Sequence, residues 1–298
     1  MSERMTTRLK QLLCGTRCIV APGVADALAA RMVAMEGFDA IYMTGFGTSL
    51  TRLGMPDIGL LTLSEMVDNA ARIVDASGMP LVADADTGYG NPMNVRRTIR
   101  DYERAGVAGV HLEDQAWPKR CGHLAGKRVI SIAEMEAKLK AAVDSRRDAD
   151  FVVIARTDAI AVEGFDAALE RGERYRAAGA DMLFIEAPTS HAQLQAIAAR
   201  FEGVPLLYNM AASGKTPDLD NASMAGLGFR LAIFPNWLIL AAIPAMRRML
   251  KELKFKGSIA DIRAEVATFK EFTDIAGLPE VQALEERYGL PEDQRAGL

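Results

Sequence analysis

Asp84 and Asp86 stand two positions apart in the run D-A-D-T-G-Y-G, Asp84–Gly90. Side chains alternate along a pleated strand, so this spacing predicts both carboxylates on one face. Two like charges so close repel or raise a pKa. A hard divalent cation removes that conflict, and oxygen-only ligation by few carboxylates favours Mg²⁺, with Mn²⁺ as the alternative. Glu113 is a natural further partner, directly or through water, and Asp57 in the loop Gly54–Asp57 can reach the same ion.

A second cluster lies in Trp117–His123, where Lys119, Arg120, Cys121, Gly122 and His123 are contiguous. A thiol flanked by cations is expected to carry thiolate character or to act as a ready proton donor. Zinc ligation is disfavoured, because no second Cys or His pair stands nearby. Gly122 and Gly126 suit a loop that opens and closes over a site. Arg156 reads either as an ion pair with the acids or as a fork for a substrate carboxylate. Gly45 suits close approach of a backbone N–H to an anion. His111 is expected to be a satisfied barrel residue, Cys14 and Cys18 packing residues, and His191 the start of a surface helix.

The elements that must position these groups are short apolar runs: Cys18–Val24, Ala40–Gly45, Pro80–Asp86, Gly109–Asp114, Phe151–Asp158, Met182–Ala187, Pro205–Met210 and Phe229–Pro235. Runs apolar nearly throughout are expected of parallel strands buried on both faces. Amphipathic stretches alternate with them, including Leu63–Ala76, Met93–Ala105, Ile132–Val143 and Phe165–Ala178. Thr62, Ser131 and Ser190 are placed as helix caps, and Gly78, Gly106 and Gly179 as helix stops. The fold class is therefore α/β, and the number of βα units points to a closed (β/α)₈ TIM barrel. A doubly wound sheet is the runner-up, but the first strand–helix turn has no G-x-G-x-x-G loop. Catalytic groups of such barrels sit at the C-terminal strand ends. Those ends here are Tyr42–Gly45, Asp84–Asp86, Glu113-Asp114, Arg156–Asp158, Glu186 and Asn209. Trp237–Leu253 reads as the last barrel helix. Ile259–Ile275 reads as a further helix with Ile262, Val266, Phe269 and Phe272 on one face.

The chain has 298 residues, net charge −4, a hydrophobic fraction of 50% and three cysteines. At ~150 residues per domain that suggests two domains, although a single barrel runs to about 250. We expect one barrel domain over 1–298, with a helical extension at about 255–290. With pI ≈ 5.6 and no basic block, a nucleic-acid partner is excluded. No apolar run has the length of a membrane span and the first residues lack a signal-peptide core, so a cytoplasmic protein without a membrane partner is expected. The odd cysteine count argues against a disulfide framework.

The motifs D-A-D-T-G-Y-G (Asp84–Gly90), E-D-Q (Glu113–Gln115), P-K-R-C-G-H (Pro118–His123) and A-R-T-D-A (Ala155–Ala159) resemble the isocitrate lyase / phosphoenolpyruvate mutase superfamily. K-R-C-G-H marks its carbon–carbon lyase branch, which includes 2-methylisocitrate and 2-alkylmalate lyases. The resemblance implies a barrel whose C-terminal helix is swapped between subunits, in a homotetramer built as a dimer of dimers. It implies metal positions at Asp57, Asp84, Asp86 and Glu113, and a gating loop at Ala116–Lys127 with Cys121 as catalytic acid. Lys119, His123, Arg156 and Tyr42 join Cys121 as catalytic positions. Thr44, Gly45, Arg120, Gly122, Arg156, Glu186, Asn209 and Trp237 fall in the substrate pocket.

The implied reaction takes a small 2-hydroxy acid and breaks its C2–C3 bond, giving a 2-oxo acid and a carboxylate. The segment Asn209–Pro217 is similar to the 2,3-dimethylmalate lyase group, although that group has an acid at the position of Ala212. Leu240 and Trp237 replace an arginine and a small residue of the methylisocitrate group. A 2-alkylmalate-type substrate is therefore expected. Alternatives are 2-methylisocitrate lyase, oxaloacetate hydrolase or decarboxylase, and a non-catalytic barrel serving as an assembly partner.

Overall fold

Strands β1 (Ile19–Val24), β2 (Ile41–Met43), β3 (Leu81–Asp84), β4 (Gly109–Glu113), β5 (Val152–Thr157), β6 (Met182–Ile185), β7 (Leu206–Asn209) and β8 (Phe229–Phe234) follow the apolar runs. In the computed structural model they pair in parallel and in sequence order as a closed barrel, β8 returning to β1. The structure describes residues 3–120, 126–212 and 214–297. Cys121, Gly122 and His123 thus lie outside the described residues.

Local chemistry sets the boundaries of the helices, which include α2 (Ala27–Met35), α5 (Pro92–Arg104), α7 (Phe165–Ala177) and α9 (Asn221–Gly226). After β2, α3 (Gly45–Leu53) starts at Thr44, whose side chain accepts from the Gly47 N–H. Before β3, α4 (Leu63–Ser77) opens on a capping box of Thr62 and Glu65 and stops at left-handed Gly78. Two orphan N–H groups are satisfied at such a start, and glycine adopts the stop without a Cβ penalty. Ser131 and Ser190 cap α6 (Ile132–Ser145) and α8 (His191–Arg200) as expected.

The core has two parts. Inside the barrel, Ile19, Ala21, Tyr42, Val82, Ile154, Met182, Phe184, Leu207, Leu231 and Ile233 pack together with Leu9 and Leu13 of α1 (Met5–Cys14). A larger cluster fills the space between strands and outer helices. Cys18 is buried in that outer cluster, but Cys14 is exposed, contrary to its expected packing role.

The chain divides into two compact units, Met1–Ile239 and Leu240–Leu298. Helix α10 runs over Trp237–Lys256, three residues beyond the expected end. The single helix expected over Ile259–Ile275 is instead a 3₁₀ segment, Ala260–Glu265, followed by α11 (Phe269–Ala276). The apolar periodicity is interrupted because Thr268 and Glu271 form a fresh capping box. A further helix, α12 (Leu278–Arg287), completes the second unit. Among the described residues, no helix is long and apolar enough to cross a membrane.

Candidate active site at the C-terminal rim of the barrel

The carboxylates gather as expected, by a different local route. Strand β3 ends at Asp84, and Asp86 lies beyond it with φ 47. The pleat therefore does not carry Asp86, which corrects the alternation argument. A non-glycine residue at positive φ is uncommon, with Asp among those enriched. It is held there by two bonds: its N–H donates to Asp84 Oδ1 at 2.9 Å, and its carbonyl accepts from the Glu113 N–H at 2.9 Å.

The centre of the cluster is a cation. Lys119 Nζ lies 2.5 Å from Asp57 Oδ1 and 2.6 Å from Asp86 Oδ1, and the residue is 2% exposed. Burial alone would lower this ammonium, but Asp86, Asp84, Asp57 and Glu113 hold it well above the usual lysine range. Asp86 is pushed up to about 7, by burial first and then by Asp84 and Asp57, despite the ammonium beside it. Lys119 was expected among the catalytic groups beside the thiol; here it serves as counter-charge to the acids.

Glu113 is buried, and its Oε1 has no hydrogen-bond partner among the described residues. Its Oε2 is 3.5 Å from Arg156 Nη1. Arg156 lies across the rim, paired in register with Glu113, and its guanidinium sits 4.9 Å over the Phe184 ring. Asp158 grips the guanidinium side-on, 3.0 Å from Nε and 3.3 Å from Nη2. Glu186 Oε1 is 3.9 Å from Nη2, and Asn209 Nδ2 donates to Glu186 at 3.1 and 3.3 Å. Arg156 is thus ion-paired through its Nε–Nη2 edge, and Nη1 is turned toward Glu113.

Gly45 is required by proximity, since a Cβ there would lie 2.4 Å from Asp84 Oδ2. Thr44 Oγ1 is occupied as the cap of α3. Trp237 is half exposed, with Nε1 donating to the Met210 carbonyl at 2.6 Å. Arg120 is exposed, and its backbone is bracketed by the Gln115 amide at 2.8 and 3.0 Å.

His111 is buried in the barrel, as the sequence suggests, but sequence reasoning assigned it no place in the site. Its Nε2 is 2.8 Å from the Tyr42 hydroxyl and 3.6 Å from Asp84 Oδ1, and Phe184 packs edge-on against it. Burial lowers the imidazole to about 4, against the pull of Asp84, so the ring is neutral near pH 7. Burial likewise raises Tyr42 well above the ordinary phenol, with Asp84 adding to it. The available signal was parity, because His111 and Glu113 share one face of β4. Asp158 stands among the expected strand ends and Lys127 at the end of the expected gating loop, but their pairing was not foreseen. Lys127 Nζ lies 2.8 Å from Asp158 Oδ1 with both side chains buried, and such a pair leaves no local motif.

Residues 9–254 match the family model described as phosphoenolpyruvate phosphomutase. The chain belongs to that family. It is 46% identical to 2,3-dimethylmalate lyase of Eubacterium barkeri over 281 residues, covering 94% of this chain and 97% of the relative. It is 42% identical to 2-methylisocitrate lyase of Aeropyrum pernix over 275 residues, with 92% and 88% covered. Among solved structures, a trigonal form of 2,3-dimethylmalate lyase superposes with TM-score 0.93 at 38% identity, covering 100% of both chains. Oxaloacetate acetylhydrolase with 3,3-difluorooxalacetate gives 0.91 at 38% identity, over 97% and 100% of the chains. Phosphonopyruvate hydrolase, solved with oxalate and Mg²⁺, gives 0.87 at 31%, over 96% and 99%. With named lyases at this level of identity and coverage, the chain is a carbon–carbon lyase of the phosphoenolpyruvate mutase / isocitrate lyase superfamily.

Proposed function

We propose that this lyase cleaves a 2-alkylmalate of the 2,3-dimethylmalate type into a 2-oxo acid and a carboxylate, with Mg²⁺ bound. The observation that carries the reading is the buried acid cluster around Lys119 with the Arg156 fork beside it. Four acids that draw in an ammonium provide the donor set a hard cation requires, and Glu113 Oε1 is an orphaned acceptor within it. Among the described residues, no three Asp, Glu, His or Cys side chains form a group that could hold a metal ion. Mg²⁺ fits such a site nonetheless, because it takes one or two carboxylates and keeps several waters. Asp57, Asp84, Asp86 and Glu113 would hold it, one or two directly and the others through its waters. When bound, it would lower the pKa of the substrate hydroxyl and stabilise the oxyanion.

The chain's own residues supply the rest. Arg156 offers paired N–H donors to a substrate carboxylate. Tyr42, which keeps its proton beside neutral His111, donates a hydrogen bond to the reacting oxygen rather than acting as base. The hydroxyl proton passes to Glu113, whose Oε1 has no partner among the described residues; the C2–C3 bond breaks, C2 becomes the oxo carbon, and the electron pair passes to C3. Cys121 then gives its proton to C3, and Arg120, Gly122 and His123 stabilise the departing carboxylate. The four residues 120–123 carry their roles from the motif, with Cys121, Gly122 and His123 outside the described residues.

The half-exposed Trp237, pinned to Met210, favours a small alkyl group over the third carboxylate of 2-methylisocitrate. A panel of 2-methylmalate, 2,3-dimethylmalate, methylisocitrate, isocitrate and oxaloacetate, with product detection, tests the reading. Turnover of 2,3-dimethylmalate, abolished by EDTA and restored by Mg²⁺, is the expected result. Turnover of methylisocitrate or oxaloacetate alone would overturn the substrate assignment.

We read the second unit as an assembly element that joins subunits into a tetramer of helix-swapped dimers. The exposed apolar side chains of Met246, Leu250, Leu253, Phe269 and Phe272 support this. A monomer by light scattering would refute it.

A further inference from the structure

The guanidinium of Arg156 is not left to find its own orientation. Asp158 meets its Nε and Nη2 edge with Oδ2 at 3.0 Å and Oδ1 at 3.3 Å, which fixes the plane of the fork. Oδ1 also takes Lys127 Nζ at 2.8 Å, and the Asp158 side chain is fully buried. The Asp158 backbone is pinned as well, its N–H donating to Asp114 Oδ1 at 3.0 Å. Asp114 in turn accepts from Thr157 Oγ1 at 2.7 Å, Tyr175 OH at 2.8 Å and Arg171 Nη1 at 3.1 Å through Oδ2. Arg171 is itself bidentate on Glu163 at 2.8 and 3.0 Å.

The network runs from Glu163 through Arg171 to Asp114, and from there through the Asp158 backbone N–H to an Asp158 carboxylate flanked by Arg156 and Lys127. Without Asp158, the acids nearest Arg156 are Glu113 at 3.5 Å and Glu186 at 3.9 Å. The fork would swing toward them, and a buried Lys127 would lose the carboxylate beside it.

We propose that Asp158 is a positioning residue for substrate binding, with Lys127 as its counter-charge: together they hold the Arg156 fork open toward the incoming carboxylate. This rests on the reading of Arg156 as the carboxylate fork. A positioned fork acts on the bound ground state and the transition state alike, so its loss raises KM more than it lowers kcat.

Asp158→Asn keeps the shape and one acceptor but removes the charge. With 2,3-dimethylmalate it is expected to raise KM tenfold or more while kcat falls less than threefold. Calorimetric Kd for oxalate in the presence of Mg²⁺ should weaken by the same factor, and Asp158→Glu should recover part of both. Lys127→Met, a second variant against failure of the first to fold, should weaken oxalate binding about threefold. A purely structural role would lower the melting temperature and leave KM and oxalate Kd of the folded fraction unchanged. Either variant binding oxalate within 1.5-fold of the parent overturns the proposal. Weakened oxalate binding in a protein that does not cleave 2,3-dimethylmalate leaves the proposal standing and refutes the substrate reading alone.

Discussion

Replacing Lys119 by methionine tests the electrostatics of the rim. The ammonium lies 2.5 and 2.6 Å from two carboxylate oxygens and is 2% exposed. At an effective dielectric of about 20, each contact carries roughly 6 kcal/mol of gross Coulomb energy, which desolvation largely offsets. Removing one partner from such a buried pair costs about 3–5 kcal/mol, because the remaining charges are left uncompensated. For a unit the size of Met1–Ile239, each kcal/mol moves Tm by about 2–4 °C, so the metal-free variant should melt roughly 6–20 °C below the parent. In the parent, a divalent ion must displace the ammonium; in the variant it need not. Mn²⁺ should therefore bind the variant about 10–100-fold more tightly, as each 1.4 kcal/mol is a factor of ten. The assay is thermal melting in EDTA and in Mn²⁺, with free Mn²⁺ read by electron paramagnetic resonance. Melting within about 2 °C of the parent in EDTA, or unchanged Mn²⁺ affinity, would refute the counter-ion role.

Cys121→Ser should fold with the parent's melting temperature and lose most turnover; wild-type kcat would remove the thiol as proton donor. Gly45→Ala places a methyl 2.4 Å from Asp84 Oδ2, so Asp84 must rotate, and Mn²⁺ affinity by calorimetry should fall at least tenfold while the far-UV spectrum is unchanged. His111→Asn should flatten the acid limb of stability. The folded imidazole titrates at about 4, below the ~6.5 of an unfolded histidine. The unfolded chain therefore takes the proton first, and the stability present above ~6.5 is lost as pH falls toward 4. Asp86, raised to about 7, has the opposite sign, and its contribution is lost as pH rises. It is present in both proteins, so the difference between them isolates His111. Equal Tm changes from pH 7 to 4 would contradict this.

The strand runs were legible because parallel strands buried on both faces write unbroken apolar words, and each observed strand lies inside its expected run. The acids were legible as a set because each terminates a strand or its loop. Their geometry was not. Asp86 reaches the site through a left-handed turn, which alternation along a strand cannot express. Lys119 was visible beside a cysteine, but nothing local signals that it enters the acid cluster from another loop. His111 passed as filling because a lone histidine within a strand says nothing about what faces it across the barrel. The buried hydrogen bonds and ion pairs of Asp158 and Asp114 join residues as far apart as Asp114 and Tyr175, where no spacing rule operates. The helix expected at Ile259–Ile275 failed because periodicity is blind to a capping box that restarts the turn.

Helix α1 has a consequence for how protons travel. Leu9 and Leu13 pack onto the barrel interior with Ile19, Val152 and Leu231. The barrel is thus stoppered at the end away from the acids. Among the described residues, the catalytic rim is then the expected route by which the hydroxyl of Tyr42 and the ring of His111 exchange with bulk water. Whatever covers that rim also sets the rate at which the interior re-equilibrates with solvent. A deuterium label washed in before catalysis would persist inside for as long as the rim is covered.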